Sequence, residues 1–80
     1  MPHFHLNLRN TTVSASDEEG VDLADLGEAR DRAIAGIRGL LGQELAHGVL
    51  DLRGRIDITD DTGTSIMIVP FSDAVTVLEA

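Results

Sequence analysis

The sequence predicts a two-layer α+β fold, in which one long helix packs on a three- to four-stranded antiparallel sheet in the order ββαββ or βαββ. Three observations support this prediction. One stretch near the middle, residues 25–48, has apolar residues at helical spacing. Stretches before and after it alternate apolar and polar residues, and residues 60–63 have the acids and glycine of a hairpin turn. At 80 residues, we expect a single α+β domain spanning residues 1–80.

The first strand is predicted at the amino-terminal end. Phe4, Leu6 and Leu8 alternate with polar residues, which is typical of a strand with one buried face. On the other face we place His3, His5, Asn7 and Arg9. Residues 10–12 are predicted to form a turn, 13–15 a short second strand, and 16–20 a second turn before brief alternation at Val21 and Leu23.

The helix is predicted from its apolar stripe and its ends. The stripe consists of Leu26, Ala29, Ala33, Ile37, Leu40, Leu41 and Leu45. Asp25 followed three residues later by Glu28 has capping-box spacing, and Gly48 stands at the position of a C′ glycine. Gly36, Gly39 and Gly42 fall three apart inside the helix. They indicate either close approach of another backbone or a tolerated local weakness.

A hairpin is predicted after the helix. Residues 50–60 form its first strand, with Ile56 and Ile58 facing inward and the arginines outward. Residues 64–71 form the returning strand, which is apolar on both faces from residue 66 to residue 69 and has Pro70 at its end. Residues 72–74 are predicted to form a turn or a single helical turn, and residues 75–77 a last extended piece.

The two-sided strand predicts an interaction surface. If one of its faces packs under the helix, the other adds apolar surface to a sheet face that carries arginines. We therefore nominate Arg53, Arg55, Met67 and Val69 as interface residues. A carboxy-terminal tail, residues 72–80, folded over that face would give the same pattern.

Composition favours self-association. The chain has no cysteine and only two aromatic residues, Phe4 and Phe71, so its core is thin and no disulfide can reinforce it. Burial of surface between two copies would supply the missing stabilisation, and we expect a homodimer or another protein as partner.

The charge of the chain is strongly negative. Fourteen acids and six arginines give a formal net charge of −8, which disfavours nucleic acid as a partner. Acids are dense in the segment before the helix, at Asp17, Glu18, Glu19 and Asp22. They either provide solubility and complement the helix dipole or form an acidic docking patch. No apolar run approaches a membrane span and no signal-peptide pattern is present, so a bacterial-type cytoplasmic protein is expected.

Catalytic and cofactor chemistry is not predicted. His3 and His5 lie on one face of a strand, but a metal site needs a third and usually a fourth ligand. Asp57 is a conceivable third ligand, whereas His47 lies at the far end of the helix. We expect no metal, no cofactor and no enzyme activity, because no nucleophile elbow, phosphate-binding glycine loop or catalytic triad can be assembled.

Several motifs together resemble a known family. They are the Phe4-x-Leu6-x-Leu8 strand, the 17–20 Asp-Glu-Glu-Gly turn, the 25–30 helix start, the 52–55 Leu-Arg-Gly-Arg stretch and the 70–72 Pro-Phe-Ser stretch. In this order they look like a family of short bacterial proteins catalogued as a domain of unknown function. More distantly, two strands, an acidic glycine turn and a helix are similar to HicB-type antitoxins, which neutralise an RNase toxin.

We therefore expect a small, non-catalytic protein–protein interaction domain that is homodimeric. The alternative is a HicB-like antitoxin or another acidic inhibitor of a basic nuclease, acting through the acidic segment.

Overall fold

The protein is a five-stranded antiparallel sheet with one helix packed against one of its faces. The computed structural model describes residues 1–11 and 13–80. The strands are β1 (His3–Arg9), β2 (Ser14–Ala15), β3 (Val21–Asp22), β4 (Arg55–Thr59) and β5 (Ser65–Pro70). Helix α1 spans Leu26–Leu45, and a 3₁₀ helix spans Phe71–Ala74. The predicted α+β class is confirmed.

The sheet has five strands where three to four were predicted, and the order along the chain is βββαββ. The main path of the sheet is β2-β1-β4-β5, and β3 also pairs with β1. The segment before the helix therefore contributes two strands of two residues each. The strand predicted at 13–15 is present at Ser14–Ala15, and the alternation at Val21 and Leu23 corresponds to the strand Val21–Asp22. The predicted strand at 50–60 is shorter than expected, because pairing begins only at Arg55. The predicted turn at 10–12 includes residue 12, which lies outside the described residues.

Helix α1 has the ends that its sequence predicts. Asp25 accepts a hydrogen bond from the Glu28 backbone N–H at 2.8 Å, and Glu28 Oε2 accepts one from the Ala24 N–H at 3.0 Å. At the other end Gly48 has φ of +80°. Its N–H bonds Leu45 O at 2.9 Å, and the N–H of the next residue bonds Glu44 O at 3.1 Å. These two hydrogen bonds form a Schellman motif that stops the helix.

The core lies between α1 and the sheet. Its buried apolar residues are Phe4, Leu23, Ala29, Ala33, Ile34, Ile37, Leu41, Ile56, Ile58, Val69, Phe71 and Ala74. The helix contributes Ala29, Ala33, Ile37 and Leu41 of its predicted stripe together with Ile34, whereas Leu45, also predicted in the stripe, is exposed. β4 contributes its two isoleucines, and the 3₁₀ helix closes one end. The opposite face of the sheet carries polar side chains on β1 and β4 and exposed isoleucines on β5.

Candidate functional site

The sheet face away from α1 carries rows of side chains set by strand register. Asn7 of β1, Asp57 of β4 and Ile68 of β5 are successive cross-strand neighbours. Arg9 and Arg55 are neighbours in the next row, beside Pro70. This face therefore runs from a polar edge at β1 to an apolar edge at β5.

The β1 end of this face is covered by the segment before the helix. Asn7 is only 6% exposed, although alternation places it on the open side. Its Nδ2 donates to Asp57 O at 3.0 Å and to Thr59 Oγ1 at 3.2 Å, and its Oδ1 accepts from the Asp17 N–H at 2.9 Å. Both the nitrogen and the oxygen of the buried Asn7 amide are thus hydrogen-bonded, and they join β1 to β4 and to the segment before the helix.

Asp17, one of the four acids nominated for a docking patch, has a structural role. Its Oδ2 accepts a hydrogen bond from the Leu6 N–H at 3.2 Å, and its Oδ1 accepts one from the Gly20 N–H at 3.1 Å. Its carboxylate therefore bonds β1 at Leu6, between the residues of β1 that pair with β3 and those that pair with β2. Asp22 faces His3, whereas Glu18 and Glu19 are exposed.

The β5 end of the face is apolar, but the exposed side chains are not the nominated ones. Val69 is 1% exposed and belongs to the core, and Met67 is half-buried against it. Ile66 and Ile68 point outward and are 38% and 55% exposed. We call Ile66 and Ile68 the β5 patch. Residues 66–69 are apolar in succession, so only the register of β5 in the sheet decides which of them are buried.

The two nominated arginines are exposed at the other end of the hairpin. Arg53 forms a forked ion pair with Asp51, with Nε to Oδ1 at 2.9 Å and Nη2 to Oδ2 at 3.1 Å. Arg53 precedes β4, whereas Arg55 is the first residue of that strand and lies on the same side of the sheet as Ile68.

The carboxy-terminal tail does not cover the β5 patch. Residues 71–74 instead pack against the helix, where Arg38 Nε donates to Ala74 O at 2.7 Å. Arg30 and Asp73 form an exposed ion pair at 3.8 Å on the same side. The tail therefore completes the core, and the patch remains exposed in the chain.

A second cluster, of titratable groups, lies where β1 begins. His3 Nδ1 donates to Asp22 Oδ1 at 2.6 Å, and His3 Nε2 donates to Glu19 O at 2.7 Å. Both partners are hydrogen-bond acceptors, so each ring nitrogen of His3 has a partner. The hydrogen bond to Asp22, followed by the one to Glu19, raises the pKa of His3 above its usual value.

His5 lies beside His3 on the same face of β1. The ring centroids are 5.1 Å apart in an edge-to-face arrangement. His5 Nδ1 donates to Asp17 O at 2.6 Å, so Nε2 faces away from that bond and lies 3.5 Å from Asp61 Oδ1. Asp61 comes from the β4–β5 turn. Sequence reasoning missed it because only the pairing of His5 with Thr59 brings that turn beside the two histidines.

The β4–β5 turn itself is rigidly held. Asp60 Oδ1 accepts hydrogen bonds from the Thr62 N–H at 2.8 Å, the Thr62 hydroxyl at 2.6 Å and the Thr64 N–H at 3.1 Å. The Thr62 hydroxyl in particular lowers the pKa of Asp60. Gly63, with φ of +83°, completes the turn. The position of Asp61 therefore follows from a well-defined local structure.

A family model described as Domain of unknown function (DUF6894) matches residues 3–72. The chain belongs to this family. The DUF6894 match includes all five strands, the helix and the three residues His3, His5 and Asp61. It also includes the Leu-Arg-Gly-Arg and Pro-Phe-Ser stretches. No curated protein and no solved structure matches the chain significantly. In the described part of the chain, no helix is long and apolar enough to cross a membrane.

Proposed function

We propose that this DUF6894 chain is a non-catalytic protein–protein interaction domain that forms a homodimer through the outer edge of β5. The observation that carries the proposal is the β5 patch. Its two isoleucines are among the exposed large apolar side chains, and they lie on the strand that ends the sheet path. β5 pairs regularly with β4 from Met67 to Pro70, with a register shift at Ile66. An apolar strand at the end of a sheet is a surface on which another strand can pair.

The geometry favours a second copy as the partner. Two β5 strands related by a two-fold axis run antiparallel, so each can supply hydrogen bonds to the other. In such a pair Ile66 and Ile68 of one copy would face the same residues of the other copy. Pro70 lacks an N–H, which confines the pairing to the part of β5 that precedes it.

Charge gives this proposal a distinctive salt dependence. Each copy has a formal net charge of −8, so two copies repel one another at low ionic strength. Salt screens that repulsion while leaving apolar burial in place. We therefore expect the dimer to be favoured by added salt, which is opposite to a complex held by ion pairs.

The experiment is the solution mass by light scattering across protein concentration, at low and high salt. We expect dimer mass for the unmodified chain, and monomer mass with a retained fold for Ile68→Asp. Val77→Asp is the matched control, because Val77 is 57% exposed but lies in the tail. A monomer at every concentration and salt, or an unchanged mass for Ile68→Asp, would contradict the proposal.

A second candidate is capture of a basic nuclease by the acidic segment. It is favoured by Glu18 and Glu19, which are exposed between β2 and β3 while Asp17 is held within the fold. With a small basic RNase as the probe, Glu18→Gln with Glu19→Gln should weaken binding and flatten its salt dependence. Glu79→Gln, an exposed acid in the tail, is the control. Weaker binding with an unchanged salt slope would count against this candidate.

A further inference from the structure

We propose that His3, His5 and Asp61 form a binding site for a borderline first-row divalent cation such as Zn²⁺. Each of the three residues offers one ligand atom, and these atoms lie within 4.8 Å of one another. The site joins the start of β1 to the β4–β5 turn. It is independent of the β5 patch and of dimer formation.

One pair of ligand atoms is already close to the separation that such a cation requires. In a tetrahedral zinc site with nitrogen and oxygen ligands, neighbouring ligand atoms are about 3.3 Å apart. His5 Nε2 and Asp61 Oδ1 are already 3.5 Å apart. The Asp61 side chain is 68% exposed, so it can adjust its rotamer while the two histidines stay fixed on the strand.

His5 has the outer partner typical of a metal ligand, and each ring nitrogen of His3 has an acceptor of this kind. Ligating imidazoles commonly donate their second ring N–H to a carboxylate or a backbone carbonyl, which fixes the ring orientation. His5 does so to Asp17 O, and Nε2 is thereby the nitrogen presented to Asp61. His3 has Asp22 Oδ1 on one nitrogen and Glu19 O on the other.

Binding requires a change of partner at His3. Because both of its ring nitrogens are hydrogen-bonded, one of them must give up its acceptor before it can bind the cation, while the other keeps its partner. The hydrogen bond that remains then holds the orientation of the ring.

The ligand set selects the class of cation. Two imidazoles with one carboxylate suit Zn²⁺ and its first-row neighbours, whereas Mg²⁺ and Ca²⁺ prefer oxygen ligands throughout. Three protein ligands leave an open coordination position for water or for a group of a partner. Asp22 and Asp60 add negative charge beside the site.

The test is calorimetric titration of the folded chain with Zn²⁺. We expect one saturable site per chain. His5→Asn and Asp61→Asn should each weaken binding at least about tenfold. The matched controls are His47→Asn and Asp31→Asn, which remove the same groups from exposed positions on or after the helix.

Asp61→Asn keeps the test independent of folding, because Asp61 is an exposed turn residue whose removal leaves the hydrogen bonds of Asp60 in place. Loss of binding in both site variants, with binding kept in both controls, would support the site. No saturable Zn²⁺ binding, or binding that survives both site variants, would overturn it.

Discussion

Phe71 packs its ring directly over Gly54, and its backbone N–H donates to the Gly54 carbonyl at 2.9 Å. A Cβ at position 54 would lie 2.6 Å from the Phe71 ring and 2.8 Å from Asn10 Cβ. The Leu-Arg-Gly-Arg stretch and the Pro-Phe-Ser stretch therefore meet in space. Their pairing accounts physically for a glycine just before β4 and a phenylalanine just after β5.

Gly54→Ala is accordingly expected to destabilise the protein. Phe71 is buried, so its ring cannot move aside freely, and overpacking of this kind costs about 1–3 kcal/mol. Chemical denaturation followed by circular dichroism measures the change. An unchanged free energy of unfolding would show that the ring is not held against the glycine.

Gly39→Ala is expected to have the opposite effect and to stabilise the protein. A Cβ at this position meets no atom within 4 Å, and the same holds for Gly36 and Gly42. Alanine should therefore raise the free energy of unfolding by roughly 0.5–1 kcal/mol per site, through helix propensity alone. Of the two explanations offered by the sequence, the structure supports tolerated weakness within the chain. Destabilisation by Gly39→Ala, seen in the same denaturation assay, would indicate that a partner packs against this face.

Asp17→Ala should destabilise the fold, although Asp17 belongs to an acidic turn. The substitution leaves the Leu6 and Gly20 N–H groups without their acceptor, which costs about 1–3 kcal/mol where these groups are buried from water. Glu18→Ala, at the adjacent exposed position, is the control and should change stability by no more than about 0.5 kcal/mol. Equal effects of the two substitutions in thermal unfolding would contradict the bridging role of Asp17.

Asp51 should remain ionised in unusually acidic solution. The hydrogen bonds from Arg53 lower its pKa from 3.8 to about 2. A lowered folded-state pKa means that the contribution of Asp51 to stability is present above pH 3.8 and is lost as pH falls through about 2. Carboxyl NMR titration measures the value directly. Arg53→Gln should bring the pKa back towards 3.8, whereas Arg32→Gln, an exposed helix substitution, should leave it unchanged.

Local features were predictable where neighbouring residues decide them. Asp25, Glu28 and Gly48 define the two ends of α1 through contacts within a few residues. The 60–63 turn is likewise predictable, because Asp60 bonds the backbone of the residues that follow it. The candidate sites were less predictable. Neither Asp61 nor the β5 patch is marked by any local pattern that separates it from its neighbours.

What the sequence determined by itself is the α+β class, the position of the helix and the hairpin that follows it. These depend on apolar periodicity and on short-range hydrogen bonds, both of which are determined by residues close together in the sequence. Only the tertiary structure decided that Asn7 is buried, that Ile68 rather than Val69 faces outward, and that Asp61 lies beside His5. Each of these depends on register between strands far apart in the chain, where a shift of one residue reverses every side chain.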